Sequence, residues 1–177
     1  MKPLPGSIGS TDQLRLRPWQ ESDAPLLAHL LGNPAVTRFL SPALPSPYGE
    51  EEAREFIRVC LRESLPERAI IAGEQLIGGI GARISDTEAD VGYWLGEAFW
   101  GRRYMRQALD LYLHLLPELA SGLQQVTAKV YDFNPASQSV LTHCGFVRTQ
   151  AFRLLPACDG LEHPVLTFTR PLPAPAQ

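Results

Sequence analysis

The chain has 177 residues, of which 45% are hydrophobic and 20% charged, and its formal net charge is −3. This composition indicates one soluble globular domain with room for a core, and the negative net charge argues against a nucleic-acid partner. No stretch approaches the roughly 18 consecutive apolar residues that a membrane helix needs, and the N-terminus lacks the apolar segment of a signal peptide. We therefore expect a cytoplasmic protein with no membrane partner.

The cysteines and histidines are scattered. Cys60, Cys144 and Cys158 are odd in number and have no CxxC spacing, which predicts reduced thiols and argues against a disulfide framework. The four histidines also lack metal-ligand spacing, so the sequence predicts no metal site.

The first half of the chain predicts one strand and two helices. Ser22 is the predicted N-cap of the first helix, and Gly32-Asn33-Pro34 is predicted to end it. The predicted elements of this half are a flexible segment over 1–12, a strand over 14–19, a helix over 22–31, a loop over 42–47 and a helix over 50–65.

The second half is richer in strands. A helix from about Arg102 is apolar on several sides and should be buried on more than one of them, and Pro117 is expected to kink or end it. The other predicted elements are strands over 69–73, 75–85, 91–96, 126–131, 146–155 and 164–172, a helix over 135–145, and a proline-rich tail over 172–177.

This order of strands and helices predicts an α+β domain with a mixed sheet that helices cover. We see no internal repeat and no second domain, so a single domain over 13–171 is expected.

Two segments carry the chemistry. In FWGRRYMRQAL, residues 99–109, a strand leads through Gly101 into a helix, whose unpaired N–H groups and dipole favour a bound phosphate. In the second segment, residues 128–146, Asn134-Pro135 opens a short helix and Gly145 closes it. Taken alone, each segment is also explained as an ordinary connection between elements.

Together the two segments resemble the GCN5-related N-acetyltransferase (GNAT) family, and within it the RimJ/RimL-type ribosomal-protein N-terminal acetyltransferases. The acetyl-CoA-binding motif of that branch is matched at Gly92, Tyr93, Trp94, Leu95, Gly96, Glu97, Trp100, Gly101 and Tyr104. A second pattern of the family is matched at Val130, Asn134, Ser137, Val140, Leu141, Gly145 and Phe146. The resemblance covers residues 14–170, and the order of elements agrees.

The resemblance implies a fold and a reaction. The fold is a central mixed, mostly antiparallel sheet of six to seven strands, splayed in the middle and covered by about four helices. Acetyl-CoA would lie where the strands at 91–96 and 126–131 separate, with its pantetheine on a strand edge and its pyrophosphate on the turn at 101–106. A substrate amine would attack the thioester directly, and a backbone N–H near Trp94 or Leu95 would stabilise the oxyanion.

The resemblance also implies roles for individual residues, and each role has an alternative. Asp90 is the first candidate base, acting through water, or a surface residue at a strand start. Glu97 is a second candidate base, or a solvated loop carboxylate. Ser137 would protonate the leaving thiolate, or is an exposed first-turn serine. Asn134 would bind pantetheine, cap its helix, or do both. The residues implied in cofactor binding are Trp94, Leu95, Gly101, Arg102, Arg103, Tyr104, Met105, Arg106, Asn134 and Ser137.

Three positions depart from the pattern. Arg103 stands where the family usually has glycine, Met105 where it has a small residue, and Pro164 where it often has aspartate. We expect Arg103 to have a negative φ, because a side chain there is otherwise strained. Arginines at this turn suit phosphate, so Arg102, Arg103 and Arg106 are predicted to grip the pyrophosphate.

The leading hypothesis is an N-acetyltransferase whose acceptor is a protein N-terminus, an amino acid or peptide, or a small amine. The alternative is a catalytically degenerate acyl-CoA-binding sensor or scaffold of the same fold, which Arg103 favours. The expected assembly is a monomer or a homodimer. The acceptor pocket is expected between residues 33–50 and the last hairpin.

Overall fold

Seven strands form one sheet in the computed structural model, which describes residues 14–172. Five of the six pairs of neighbouring strands are antiparallel, and the pair in the middle of the chain is parallel. In chain order the strands are β1 (Leu14–Arg17), β2 (Arg68–Ala72), β3 (Gln75–Ser85), β4 (Glu88–Leu95), β5 (Gln125–Tyr131), β6 (Val147–Pro156) and β7 (Glu162–Pro171). Their order in the sheet is β1-β2-β3-β4-β5-β7-β6. The predicted mixed, mostly antiparallel α+β sheet is confirmed.

Four helices of eight or more residues accompany the sheet, as the resemblance implied. They are α1 (Ala24–Leu31), α3 (Glu50–Arg62), α4 (Tyr104–Leu119) and α5 (Pro135–His143), with a short helix α2 (Pro34–Thr37) between the first two. One 3-10 turn, Glu21–Asp23, precedes α1, and another, Glu97–Phe99, follows β4. The predicted flexible segment over 1–12 lies outside the described residues, as does the predicted tail beyond residue 172.

The sheet separates between β4 and β5. The two strands pair only from Glu88 to Val91 on β4, which lie opposite Gln125 to Ala128 on β5. Both strands continue past this point, β4 to Leu95 and β5 to Tyr131. The edges that face each other beyond Val91 and Ala128 therefore enclose an opening in the middle of the sheet, which we call the splay.

Each face of the sheet has its own core. Helix α4 lies on one face and buries Leu109, Tyr112 and Leu116 against β1, β3 and β4. Helices α1 and α3 lie on the other face, where Leu27 and Ile57 pack with residues of β2 and β3. Fully burying a side chain of this size stabilises the fold by about 1.5–3 kcal/mol. The prediction that the helix after Gly101 is buried on several sides is confirmed.

The N-cap prediction for the first helix was wrong. Ser22 does not cap a helix, because a 3-10 turn occupies 21–23 and α1 begins after it. The predicted end of that helix at Gly32-Asn33-Pro34 is confirmed, because α1 ends at Leu31 with Gly32 as its C-cap. Pro34 then begins the short helix α2, where Asn33 accepts a hydrogen bond from Ala35 N and proline suits the first helical position. Of the two outcomes expected at Pro117, an end of the helix at that residue is not observed, since α4 continues to Leu119.

A buried ion pair fixes the connection from β1 to α1. The guanidinium of Arg17 donates two hydrogen bonds of 2.7 Å to the Asp23 carboxylate, which also accepts one of 2.9 Å from Gln20 N. The Asp23 side chain is only 8% exposed. Removing one partner of such a pair leaves the other charge without its compensation.

We expect Asp23→Ala to lower the free energy of unfolding by about 2 kcal/mol, since it leaves a partly buried guanidinium and a backbone N–H unpaired. Urea unfolding at pH 7 measures this change. The matched control is Glu55→Ala, which removes an exposed carboxylate 3.9 Å from Arg58 and should change stability by less than about 0.5 kcal/mol. Equal effects of the two substitutions would contradict the role of this pair.

Candidate active site

The free edge of β4 carries backbone groups that point into the splay. Gly96 N donates to Ile77 O, so the even-numbered residues of β4 direct their backbone groups toward β3. Tyr93 and Leu95 therefore direct theirs toward the splay, and Leu95 O accepts a hydrogen bond of 2.9 Å from the Trp100 indole. Of the two residues predicted to supply an oxyanion donor, Leu95 presents its N–H to the splay and Trp94 presents its N–H to β3.

A pair of hydroxyl groups links β4 to α5. The Tyr93 hydroxyl lies 2.9 Å from Ser137 Oγ and 3.3 Å from Ser137 O. Burial raises the pKa of Tyr93 well above its ordinary value, so the phenol stays protonated near neutral pH. Ser137, which the resemblance implied as a proton donor, therefore has a second neutral hydroxyl behind it. This contact of Tyr93 was not predicted from the sequence, although Tyr93 belongs to the matched motif.

Asn134 is the N-cap of α5, as one of its two predicted roles required. Its Oδ1 accepts a hydrogen bond of 3.1 Å from Ser137 N. The cap fixes the first turn of α5 and with it the position of the Ser137 hydroxyl. Its Nδ2 group takes no part in the cap, and pantetheine binding by Asn134 stays a prediction.

The turn before α4 has an unusual backbone. Gly101 has φ 73° and Arg103 has φ 62°, and Arg103 is the N-cap of α4. The expectation of a negative φ at Arg103 was wrong. A left-handed residue at this place turns successive N–H groups of residues 101–106 toward one side, which creates a concave site for an anion. Arginine at this position costs strain that glycine would not have.

The side chains at this turn separate into two groups. Arg102, Arg103 and Arg106 are exposed, and within residues 14–172 they form no ion pair. Met105 is 7% exposed and packs in the core under α4, so only its backbone N–H can meet an anion. Tyr104 is partly buried against the same core. The turn and the first turn of α4 therefore carry three exposed arginines.

The predicted bases have partners of their own. Asp90 forms an ion pair with Lys129 on β5, next to the last paired residue of β4. Glu97 is exposed and accepts a hydrogen bond of 2.7 Å from Asn33 Nδ2, which joins the turn after β4 to the start of α2. These contacts agree with the structural alternatives, and the catalytic role of each residue stays a prediction.

An aromatic cluster lies beyond the C-terminal ends of β4 and β5. Ring centroids are 6.2 Å apart for Phe39 and Trp100, 6.0 Å for Phe39 and Phe133, and 4.8 Å for Phe133 and His163. The Arg38 guanidinium lies 5.0 Å from the Phe39 ring. Trp100 is 41% exposed, and its indole N–H donates to Leu95 O. Sequence reasoning missed Phe39, Phe133 and His163, which come from three distant segments without a shared pattern.

The aromatic cluster borders a cleft of about 330 Å³. Its lining combines the end of α2 with the β6–β7 hairpin, which agrees with the two regions expected to build an acceptor pocket. In the hairpin, His163 Nε2 lies 2.7 Å from Asp159 Oδ2, and contacts with Leu161 N and His163 lower the pKa of Asp159. The lining residues are Arg38, Phe133, Ala157, Cys158, Asp159 and His163.

Two cysteines lie in the core. Burial raises the pKa of the Cys60 and Cys144 thiols to about 12, so both are protonated near neutral pH and are poor nucleophiles. Cys158 is exposed, and the three thiols are unpaired. Among residues 14–172 no group of His, Cys, Asp and Glu is arranged to hold a metal ion. In the same residues no helix is both long and apolar enough to cross a membrane.

Comparison with known proteins identifies this arrangement. The profile of the acetyltransferase (GNAT) domain matches residues 13–147. An uncharacterized N-acetyltransferase p20 of Bacillus licheniformis is 28% identical over an alignment of 153 residues, which covers 81% of this chain and 84% of that protein.

Solved structures share the whole fold. RimL, a ribosomal L7/L12 alpha-N-protein acetyltransferase in complex with coenzyme A, has a TM-score of 0.82 at 22% identity, covering 93% of this chain and 97% of its own. The microcin C7 self-immunity acetyltransferase MccE, in complex with acetyl-CoA and AMP, has a TM-score of 0.81 at 17% identity, covering 96% and 99%. The ribosomal-protein-S5-alanine acetyltransferase of Vibrio fischeri has a TM-score of 0.76 at 16% identity, covering 92% and 94%.

The left-handed Arg103 gives a testable consequence. We expect Arg103→Gly to leave the free energy of unfolding unchanged or to raise it by up to about 1 kcal/mol, because relief of strain exceeds or balances the entropy of glycine in the unfolded chain. Thermal and urea unfolding measure the difference.

Arg102→Gly is the matched control, since it removes the same exposed charge at a residue that does not have a positive φ. It should destabilise the protein by about 0.5–1 kcal/mol. A larger loss at Arg103 than at Arg102 would contradict the strain.

Proposed function

Because the chain belongs to the GNAT acetyltransferase family, we propose that it transfers the acetyl group of acetyl-CoA to a primary amine. The observation that carries the proposal is the splay, where an unpaired edge of β4 faces the hydroxyl of Ser137. A strand edge that lacks a partner can hydrogen-bond an extended amide chain such as pantetheine. The match of the domain and the p20 relative support the same reaction.

The described residues fit acetyl-CoA at three points. Tyr93 presents its backbone N–H and C=O on the edge of β4 for the pantetheine amides, whereas Leu95 O already accepts from the Trp100 indole. The N–H groups of residues 101–106 and the start of α4 suit the pyrophosphate. Arg102 and Arg106 lie exposed beside that turn and supply positive charge. When bound, the thioester supplies an activated acetyl group to the acceptor.

The chain's own groups then have separate tasks. Leu95 N–H faces the splay and can donate a hydrogen bond to a carbonyl oxygen that becomes negative. Ser137 and Tyr93 form a neutral hydroxyl pair that can donate a proton to a departing thiolate. The Asn134 cap orients the first turn of α5, so it positions Ser137 for this transfer.

We place the acceptor amine in the cleft at the aromatic cluster. Phe39, Trp100 and Phe133 offer flat apolar surfaces there, and Arg38 forms no ion pair among residues 14–172. The cleft opens at the same end of β4 as the free edge. Protein N-termini are the substrates named for RimL and for the S5-alanine enzyme, which supports peptides beginning with serine or alanine as first acceptors to test.

Acetyl-CoA at 100 times its dissociation constant should stabilise the protein by about 2.7 kcal/mol, measured as a shift in Tm. Arg102→Ala and Arg106→Ala should reduce this shift, and Arg103→Gly should retain it.

Thiol release with peptides, free amino acids and small amines should then reveal turnover. Absence of a shift at millimolar acetyl-CoA would contradict cofactor binding, while binding without turnover on any acceptor would support the sensor alternative.

Removing the hydroxyl of Ser137 should slow the chemical step. We expect Ser137→Ala to lower kcat by about 100-fold with the KM for acetyl-CoA little changed, since proton transfer typically contributes 10²–10⁴-fold. Tyr93→Phe should lower kcat less, because Ser137 keeps its own proton. Ser139→Ala is the matched control, an exposed serine on the same helix. A Ser137→Ala enzyme as fast as the Ser139→Ala enzyme would refute the assignment.

A further inference from the structure

The carboxylate of Glu67 lies on the face of the sheet that α1 and α3 cover, directly over Gly81 of β3. A Cβ atom at Gly81 would lie only 2.0 Å from Glu67 Oε2 and 2.1 Å from its carboxyl carbon. Glycine at position 81 thus creates the space that the carboxylate fills. Glu67 is the residue before β2, and its side chain extends over the neighbouring strand β3.

The residue beside Gly81 on β4 is Gly92, and the space above it is open. Gly81 and Gly92 are register partners on adjacent strands, which lie about 4.8 Å apart. Gly92 is exposed, and no atom lies within 4 Å of the position that a Cβ would take. Asp90 and Trp94 are two residues away on the same face of β4. We call this opening, bordered by Glu67, Asp90, Gly92 and Trp94, the Gly92 notch.

The Gly92 notch lies at the vertex of the splay. Val91 is the last residue of β4 that pairs with β5, so Gly92 is the first residue of the free edge. A group bound along this edge is therefore reached from the α1 and α3 face through the notch. The two neighbouring carboxylates are the acidic groups that border it.

The surroundings of Glu67 leave its carboxylate without a hydrogen-bond partner among residues 14–172, yet neither oxygen is fully enclosed. Burial raises its pKa to about 7, against the opposing effect of the positive charges of Arg68 on β2 and Arg83 on β3. The other titratable neighbours are Cys60 on α3 and Tyr112 on α4, whose pKa values are raised by burial. Both stay neutral over the pH range in which Glu67 titrates.

We infer that Glu67 accepts the proton of the acceptor ammonium, through water in the Gly92 notch, and so sets the pH at which the protein works. This inference rests on the proposed function. The ammonium gives one proton to the Glu67 carboxylate, and the freed lone pair forms the N–C bond while the C–S bond breaks. The amine nitrogen loses its second proton to solvent, the thiolate takes a proton from the Ser137 and Tyr93 pair, and solvent returns a proton to that pair. Glu67 then returns its proton to solvent.

Asp90 borders the same notch but differs in its environment. Its carboxylate is bound to the ammonium group of Lys129, which holds it on the β5 side. Within the part of the chain that the structure describes, the Glu67 carboxylate has no ion-pair or hydrogen-bond partner, and it can gain and lose a proton. Of the two carboxylates, the geometry favours Glu67 as the proton acceptor and Asp90 as part of the link between β4 and β5.

The test is the pH dependence of kcat/KM from pH 5.5 to 9, measured by thiol release with one amine acceptor. The wild-type protein should lose activity below an inflection near pH 7. Glu67→Gln should lack this inflection and should be about 100-fold slower at pH 8, as expected for loss of a general base. Gly81→Ala keeps the carboxylate but displaces it, because the side chain end can move, and should also be slower. Glu55→Gln, an exposed carboxyl change on α3, is the control that should match the wild type.

Unfolding provides a second readout that needs no activity. In the unfolded chain the Glu67 carboxyl has its ordinary pKa of 4.5, whereas burial in the folded protein raises this pKa to about 7. The Tm of the wild-type protein should therefore fall relative to Glu67→Gln as pH rises from about 5 to 7, since the folded state holds the proton longer. A flat difference would overturn the assigned environment of Glu67.

The outcomes separate the two levels of inference. An active wild-type protein whose pH profile is unchanged in Glu67→Gln, or whose inflection disappears in Asp90→Asn alone, would overturn the assignment of Glu67 and leave the acetyltransferase proposal intact. A wild-type protein that binds acetyl-CoA but acetylates no amine would overturn the proposed function and this inference together.

Discussion

The parallel pairing of β4 with β5 ends after four residues, and the arrangement of the site depends on this end. Antiparallel neighbours hold the outer edges of both strands, so the strands stay regular while their inner edges separate. Backbone groups that would otherwise pair with each other are left to bind something else. An unpaired strand edge in the middle of a sheet is costly unless it is satisfied by water or by a ligand, and a ligand with amide groups satisfies it best.

Contacts at both ends of the splay keep it from closing. Trp100 donates to Leu95 O, and Tyr93 reaches Ser137 on the far side. The first contact uses a backbone acceptor that a closed sheet would need, and the second holds α5 at a fixed distance from β4. The same residues that define the opening therefore place the hydroxyl pair and the proposed oxyanion donor, Leu95 N–H, around it. The hydrogen bonds of Trp100 and Tyr93 therefore both hold the opening and position the groups that line it.

Much of this could be predicted from the sequence, because it depends on local patterns. Alternation and helical periodicity located the strands and the long helices, and the two motifs indicated the splay between β4 and β5. The left-handed backbone at Arg103 was not predicted, since the residue type argued against it and the turn geometry overrides that preference. The aromatic cluster and Glu67 were also missed. Both depend on contacts between segments far apart in sequence, which a single sequence does not reveal.

The glycines of β3 connect these observations. Residues 78–81 read Gly-Gly-Ile-Gly, which lowers strand propensity and would be a poor choice for an ordinary strand. At Gly79 an added Cβ would lie 2.9 Å from Trp94 Nε1, and at Gly81 it would meet the Glu67 carboxylate. Both absent side chains would lie on the face of the sheet that α1 and α3 cover. The strand lacks side chains of its own there, so that Trp94 lies over Gly79 and the Glu67 carboxylate lies over Gly81, the register partner of Gly92. The glycines of β3 are therefore explained by the side chains that lie over them. Over Gly81 that side chain is Glu67, whose carboxylate lies beside the Gly92 notch.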